Sequence, residues 1–461
     1  MTWQCKFKTL DDLESIGKEH GAVLEASADT SCLKSPVSLG QLQIPNSLAV
    51  HPMEGCDGKR DGSPDELTIR RYDRFAAGGC GLLWVEAIAV AHEGRANPRQ
   101  LWIHKDNTDQ FKGMNERMFA LASESMGSNF KPTLVAQLTH SGRYAKPDGT
   151  AKPIVMREDP HRDAMAPEPF PTSNRPSKIS SDNIISDDDL NRLQDEYLKA
   201  AHLAAEAGFD AVDIKACHGY LISEMLSSHT RPGKYGGSFE NRTRFLLEVI
   251  ARIKSELGNR LAITTRLGCY DATPYPYGWG VSVDDYKKPD LEEPKKLVAL
   301  LKQAGVDMIN FTAANPYYNP HVGRPFTKEI RGGYPEPEHP IVGVKRLIDL
   351  AGEIQQANPE VGIVGTGYSW LGHLMPEVMA GVKLAGKAQI MGAGRMAFAY
   401  PDFAKDLIQE GALNPKKVCI ACSGCTQIMR DGNTTGCTIR DRDIYVPIFK
   451  QGLQKEKEAM A

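Results

Sequence analysis

Eight short apolar runs recur along the chain, at residues 47–51, 81–90, 133–138, 210–215, 261–266, 307–311, 361–365 and 388–392. They are almost continuous in Val, Ile, Leu and Ala and do not alternate with polar positions. That pattern fits strands buried on both faces, as in a parallel sheet. Amphipathic stretches of helical period lie between them. Residues 187–207 carry Leu190, Leu193, Tyr197, Ala201 and Ala204 on one face, with Ser186 placed to cap the start and Gly208 after the end. Residues 238–257 bring Phe245, Val249 and Ile253 together, and residues 292–304 have Pro294 in the first turn and stop at Gly305. A strand then a helix, eight times over, predicts an α/β fold of the (β/α)8 or TIM-barrel type; a doubly wound sheet is the alternative.

In such a barrel, chemistry sits on the loops that follow the strands. Two of these loops are long. Residues 143–186 are polar and rich in Pro, Lys, Asp and Ser; they read as a lid over the barrel mouth in which Arg162 and Asp163 meet a substrate, or as a solvated excursion. Residues 270–289 are aromatic and glycine-rich and read the same way. The division expected is a barrel over 1–410 and a small cysteine-bearing segment over 411–461, ending in a partly ordered tail.

Charge and composition narrow the class. The 461 residues carry a formal net charge of −3 with no long basic run, which excludes an ordinary nucleic-acid binder. No apolar stretch reaches membrane-helix length and the start lacks a signal-peptide core, so a cytoplasmic protein is expected. In that compartment ten cysteines point to metal or redox chemistry before disulfides. Six are scattered (Cys5, Cys32, Cys56, Cys80, Cys217 and Cys269) and read as small core residues. The other four form Cys419-x2-Cys422-x2-Cys425-x11-Cys437. A triplet plus a distant singleton suits a 4Fe–4S cluster, whereas structural zinc more often takes two separated pairs; zinc and free thiols stay as alternatives.

Several strand ends suit a flavin. Gln137 ends the third run, and its amide can donate to and accept from a ring edge. Arg266 ends the fifth, where a fixed cation stabilises an anionic reduced ring. Gly365-Thr366-Gly367 and Gly392-Ala393-Gly394-Arg395 follow the last two strands, where barrels commonly hold phosphate; plain turn formation is the rival reading. Lys215 and His218, after the fourth strand, can donate to a substrate carbonyl oxygen. Tyr220 can deliver a proton, and His321, after the sixth strand, is a second candidate acid. Core packing and a surface loop are the alternatives for these two.

The segment His218-Gly219-Tyr220-Leu221, followed by Arg231-Pro232-Gly233-Lys234-Tyr235-Gly236-Gly237-Ser238-Phe239-Glu240-Asn241-Arg242, resembles the signature of the old yellow enzyme family. Pro52-Met53, Gln137 with His140-Ser141-Gly142-Arg143, and the stretch from Gly392 to Arg395 add to the resemblance, which covers roughly residues 35–410. The cysteine spacing is similar to the iron–sulfur branch that contains 2,4-dienoyl-CoA reductase and trimethylamine dehydrogenase. The resemblance implies FMN held near Pro52 and Met53, by Gln137 and Arg266, and by the two glycine loops, with Tyr220 as proton donor and His321 as a looser match to a second acid. It implies reduction of the C=C bond of an enone, enoyl or steroid-like substrate. The alternatives are amine oxidation, with Trp84, Trp102 and Tyr317 as cage residues, and an electron-transfer subunit of a larger flavoprotein complex. Lys215 and Glu54 depart from the family pattern. Branch members continue into FAD- and NAD(P)-type domains, and no Gly-x-Gly-x-x-Gly turn is present here. A reductase of this kind would draw electrons from NADH or NADPH at FMN, or from a separate flavoprotein or ferredoxin; a homo-oligomer is a further possibility.

Overall fold

Each of the eight apolar runs is a strand in the computed structural model, which describes residues 7–161 and 179–460. The strands are β1 (Leu48–Val50), β2 (Leu82–Ala89), β3 (Thr133–Thr139), β4 (Ala211–Ile214), β5 (Ala262–Gly268), β6 (Met308–Thr312), β7 (Gly362–Gly365) and β8 (Ile390–Ala393). All pair in parallel, and β8 returns to β1 through Met391 opposite Leu48, so the sheet closes and the doubly wound alternative is excluded. Every strand residue is buried. One face points into the barrel and the other against the helices, which is why the runs lack polar alternation.

The barrel interior is a filled core of Ala49, Leu82, Trp84, Val135, Ala211, Ala262, Met308, Val364 and Ile390. A short antiparallel hairpin, Val37–Leu39 with Leu42–Ile44, plugs its lower end through Leu39, Leu42 and Ile44. The hairpin strands are three residues each, too short for a periodic signal to reveal them.

Eight helices ring the barrel: α1 (Glu66–Ala77), α2 (Thr108–Met126), α3 (Asp187–Glu206), α4 (Phe239–Leu257), α5 (Glu292–Gln303), α6 (Pro340–Ala357), α7 (Met375–Leu384) and α8 (Phe403–Glu410). Their starts follow the expected chemistry. Ser186 Oγ accepts from Asp189 N at 3.0 Å, and Ser238 Oγ from Asn241 N at 3.3 Å. The apolar faces point inward, with Phe245, Val249 and Ile253 of α4 buried.

The base of the long third loop is held by the buried ion pair Arg143–Glu224 and by Arg157 with Asp159 at 3.1 Å. Arg162 and Asp163 lie outside the described residues. The 270–289 loop packs around buried Trp279, and Asn319 Nδ2 donates to the carbonyls of Asp271 and Ala272 at 3.0 and 2.9 Å. Beyond Cys437 the chain forms a helix, Arg442–Met460, where a partly ordered tail was expected. Pro447 inside it and its many charges mask the helical pattern. Asp441, just before this helix, accepts from Arg70 and Arg74 of α1 and ties the segment to the barrel. Among the described residues no helix is long and apolar enough to cross a membrane.

Candidate active site

The loops after the strands enclose a pocket lined at one end by Pro52, Met53, Glu54, Gln137, Lys215, His218, Tyr220 and Arg266, and at the other by Arg324, Thr366, Gly367, Ser369, Gly394 and Arg395. The cysteine segment closes one wall through Cys425, Thr426, Met429 and Thr435. Under the first end lies Asp213 of β4, fully buried inside the barrel. It accepts from Gln137 Nε2 at 2.6 Å, Trp84 Nε1 at 2.8 Å and the Arg266 backbone N–H. Burial pushes the Asp213 carboxyl up, and the Gln137 and Arg266 hydrogen bonds hold it down. Asp213 therefore orients the Gln137 amide and anchors the Arg266 backbone. The sequence signal for it was an acid inside an otherwise apolar run, which a buried strand tolerates only if bonded.

Arg266 donates to Pro52 O at 3.3 Å, and its buried Nε has no protein partner. At the far end the buried Arg395 Nη1 also lacks one. Arg324, which the sequence reading did not single out, sits beside Arg395; burial and this second cation press its guanidinium down to about 9. Two half-buried cations at close quarters, with a buried unpartnered N–H, suit a bound phosphate. Gly367 takes φ +99°, open to glycine and strained for other residues, and a side chain at Gly394 would project towards Met53 in the pocket. Gly365 and Gly392 do different work from that expected. They do not line the pocket: a Cβ at 365 would strike the Tyr368 hydroxyl at 2.4 Å, and one at 392 the His51 ring at 2.2 Å. They are strand residues that make room for those rings. The pocket thus offers a ring-edge environment at one end and an anion cradle at the other, which fits FMN.

The polar side chains at the first end of the pocket form a compact group. Tyr220 donates its phenolic proton to Glu54 Oε1 at 2.7 Å, and Lys215 Nζ lies 3.6 Å from the same oxygen. The Lys215 ammonium also sits 3.6 Å from the centre of the Tyr220 ring. Burial first, then Glu54, holds the Tyr220 phenol well above its ordinary value, so it stays protonated. His218 has φ +65°, and its Nε2 lies 3.1 Å from Thr312 Oγ1. Burial, with Arg266 and Lys215 nearby, keeps its imidazole neutral. His321 does not join them. Its Nδ1 faces the Tyr334 hydroxyl at 2.7 Å, outside the pocket, because the following loop offers that partner. Nor do the expected cage residues assemble: Trp84 is in the barrel interior and Trp102 packs between His92 and His104. Tyr317 does line the pocket, stacked on Tyr144 at 3.9 Å.

Cys419, Cys422, Cys425 and Cys437 all line one small cavity next to the pocket, and Cys425, Arg395 and Phe398 border both. Ala421 and Ser423, between the first three cysteines, take φ +52° and +57°, a conformation that costs a non-glycine residue roughly 1–2 kcal/mol. Backbone N–H groups point at sulfur: Ala421 to Cys419 Sγ and Arg440 to Cys437 Sγ, each at 3.3 Å. Burial pushes the Cys419 thiol up to about 12 and Cys437 up to about 11, with the neighbouring cysteines adding to the rise. Such a set becomes thiolate only around a cationic core. Among the described residues no three His, Cys, Asp or Glu side chains stand at single-ion spacing. Of the scattered cysteines, Cys80, Cys217 and Cys269 are buried, Cys32 and Cys56 are half-buried, and Cys5 lies outside the described residues.

A family model, NADH:flavin oxidoreductase / NADH oxidase, matches residues 33–279. The chain belongs to this family. The family is one of flavin-dependent oxidoreductases. The chain is 29% identical over 397 residues to a NADH oxidase of Thermoanaerobacter brockii, covering 84% of this chain and 52% of that protein. It therefore spans about half the length of that relative. Among solved structures, a 2-naphthoyl-CoA reductase complex superposes with a TM-score of 0.70 at 18% identity, covering 92% of this chain and 58% of the other. Histamine dehydrogenase from Rhizobium sp. 4-9 superposes with a TM-score of 0.64 at 20% identity, covering 90% and 53%. At these identities the likeness shows the barrel fold that this family member shares with both.

Proposed function

We propose that this family member is an FMN- and 4Fe–4S-dependent ene-reductase that reduces the activated C=C bond of an α,β-unsaturated carbonyl compound. The observation that carries the reading is Tyr220, a phenol held protonated at the pocket wall among Lys215, His218 and Glu54. Pro52, Met53, Gln137 and Arg266 would hold the flavin ring, and Gly367, Gly394, Arg324 and Arg395 its phosphate. When bound, FMN supplies hydride-transfer chemistry. The protein's own groups then have two tasks. Lys215 or neutral His218 donates to the substrate carbonyl oxygen and makes the β-carbon electron-poor. Tyr220 gives its proton to the α-carbon.

Cys419, Cys422, Cys425 and Cys437 would hold the cluster, which supplies single-electron transfer. Support comes from their shared cavity and the N–H groups aimed at sulfur. Electrons reach such a site from NADH or NADPH at the flavin, or from a separate flavoprotein or ferredoxin through the cluster. The division proposed is a flavin barrel over 1–410 and a cluster segment over 411–461. Amine oxidation fits less well. The face of Tyr220 that a substrate ammonium would need already carries the Lys215 ammonium, paired with Glu54.

The test is Tyr220→Phe. The reading expects flavin reduction by NADPH or dithionite unchanged and reoxidation by an enone slowed on the order of 10²-fold or more. Unchanged reoxidation removes Tyr220 from the mechanism.

A further inference from the structure

A buried proton donor has to be reloaded in every turnover. Tyr220 is 2% exposed and its hydroxyl meets two side chains, Glu54 and Tyr317. Tyr317 is a poor source of protons, since burial pushes its own phenol up to about 12. Glu54 reaches solvent: its side chain is 15% exposed. Its place is set from below. Gly55 N donates to Glu86 Oε2 at 2.7 Å, Thr435 N donates to Gly55 O at 2.7 Å, and a Cβ at Gly55 would lie 2.1 Å from the Arg71 guanidinium. The charged and titratable groups around the Glu54 carboxylate are Lys215 and Tyr220 from the loop after β4, Tyr317 from the loop after β6, Cys56 on its own loop and Glu86 on β2.

We propose that Glu54 is the positioning residue that reloads Tyr220 with a proton taken from water. The inference rests on the reading of Tyr220 as donor. The balance of one turnover is complete. The β-carbon receives a hydride, carrying the electron pair, from the chemistry FMN supplies. The α-carbon forms a C–H bond as the Tyr220 O–H bond breaks. The Glu54 carboxylate takes a proton from water, passes it to the Tyr220 oxygen and is a carboxylate again, and the hydroxide left behind is neutralised by the buffer. The Lys215 ammonium over the ring stabilises the transient phenolate.

Relay and packing roles separate in time. In Glu54→Gln the amide keeps the size and the acceptor oxygen but passes no proton on. The phenol starts protonated, so the first turnover needs no relay. With the FMN-loaded full chain, dithionite as reductant and 2-cyclohexenone as probe, Glu54→Gln is expected to show a first turnover near the wild-type rate. Later turnovers should be slowed about tenfold or more, with a raised solvent deuterium isotope effect. Glu54→Asp should restore the later turnovers in large part. A second readout needs no flavin. Alkaline difference absorbance, with Tyr220→Phe as reference, should show the Tyr220 phenol titrating at lower pH in Glu54→Gln than in wild type, because a negative neighbour is gone. A Glu54→Gln protein with wild-type later turnovers, or with an unmoved phenol titration, overturns the relay while leaving Tyr220 in place. A slow first turnover assigns Glu54 a structural role and overturns it too. Wild-type rates in Tyr220→Phe, or no enone turnover by wild type, would instead sink the underlying reading.

Discussion

Asp213 holds Gln137, Trp84 and the Arg266 backbone with one carboxylate. Asp213→Asn keeps the shape but turns one acceptor oxygen into a donor facing donors. The expected loss is about 2–4 kcal/mol in urea unfolding, together with weaker FMN binding by fluorescence titration; unchanged FMN affinity would mean that Asp213 does not organise the ring end. His140 gives a pH test. Burial presses its imidazole from 6.5 down to about 4. As pH falls, the unfolded chain takes the proton first, so stability is full above about 6.5 and is lost as pH drops towards 4. This one group contributes up to about 3 kcal/mol to that loss. Urea midpoints measured from pH 7 to pH 4.5 should fall less steeply in His140→Asn, and equal slopes would contradict the assignment. At this scale legibility was mixed. The four cysteines singled out by their spacing do meet at one cavity, since the first three lie within seven residues of one another. His321 was misplaced because its direction depends on Tyr334, a partner in another turn of the loop. Glu54 stood out only as a departure, since nothing local pairs it with Tyr220.

Elements were the most readable level, and the reason is physical. A strand buried on both faces must be apolar throughout, so strand ends fell within two residues of the pattern for all eight. Helix starts were readable where a side chain does the capping, and Ser186→Ala should cost about 1 kcal/mol of stability by urea melt. What was hidden is the ion network under the Glu54 loop. Arg71, on α1, meets both Asp57 and Glu86, all three buried. Three charges far apart in sequence do not announce a shared site. Arg71→Met leaves two buried carboxylates without their cation. The expected cost is about 3–5 kcal/mol, and the Glu54 loop should shift with it. A melt within 0.5 kcal/mol of wild type would show the network to be dispensable.

At the level of the whole molecule, the cysteine segment is part of the barrel's mouth. Arg331 pairs with Asp431 at 2.7 Å, Arg324 Nη1 donates to Ser423 Oγ at 3.0 Å, and Thr327 Oγ1 donates to Ile420 O at 2.8 Å. Cys425 and Arg395 border both cavities, so the proposed flavin and cluster sites share one wall. The proposal that one chain holds both groups is tested by the visible spectrum of anaerobically purified protein, recorded before and after addition of NADH, then NADPH, then dithionite. Flavin bands over a broad iron–sulfur absorption are expected, with both bleached by the last addition at least. A chain with no flavin band after reconstitution with FMN, or with flavin but no iron–sulfur absorption after anaerobic reconstitution with iron and sulfide, would contradict it.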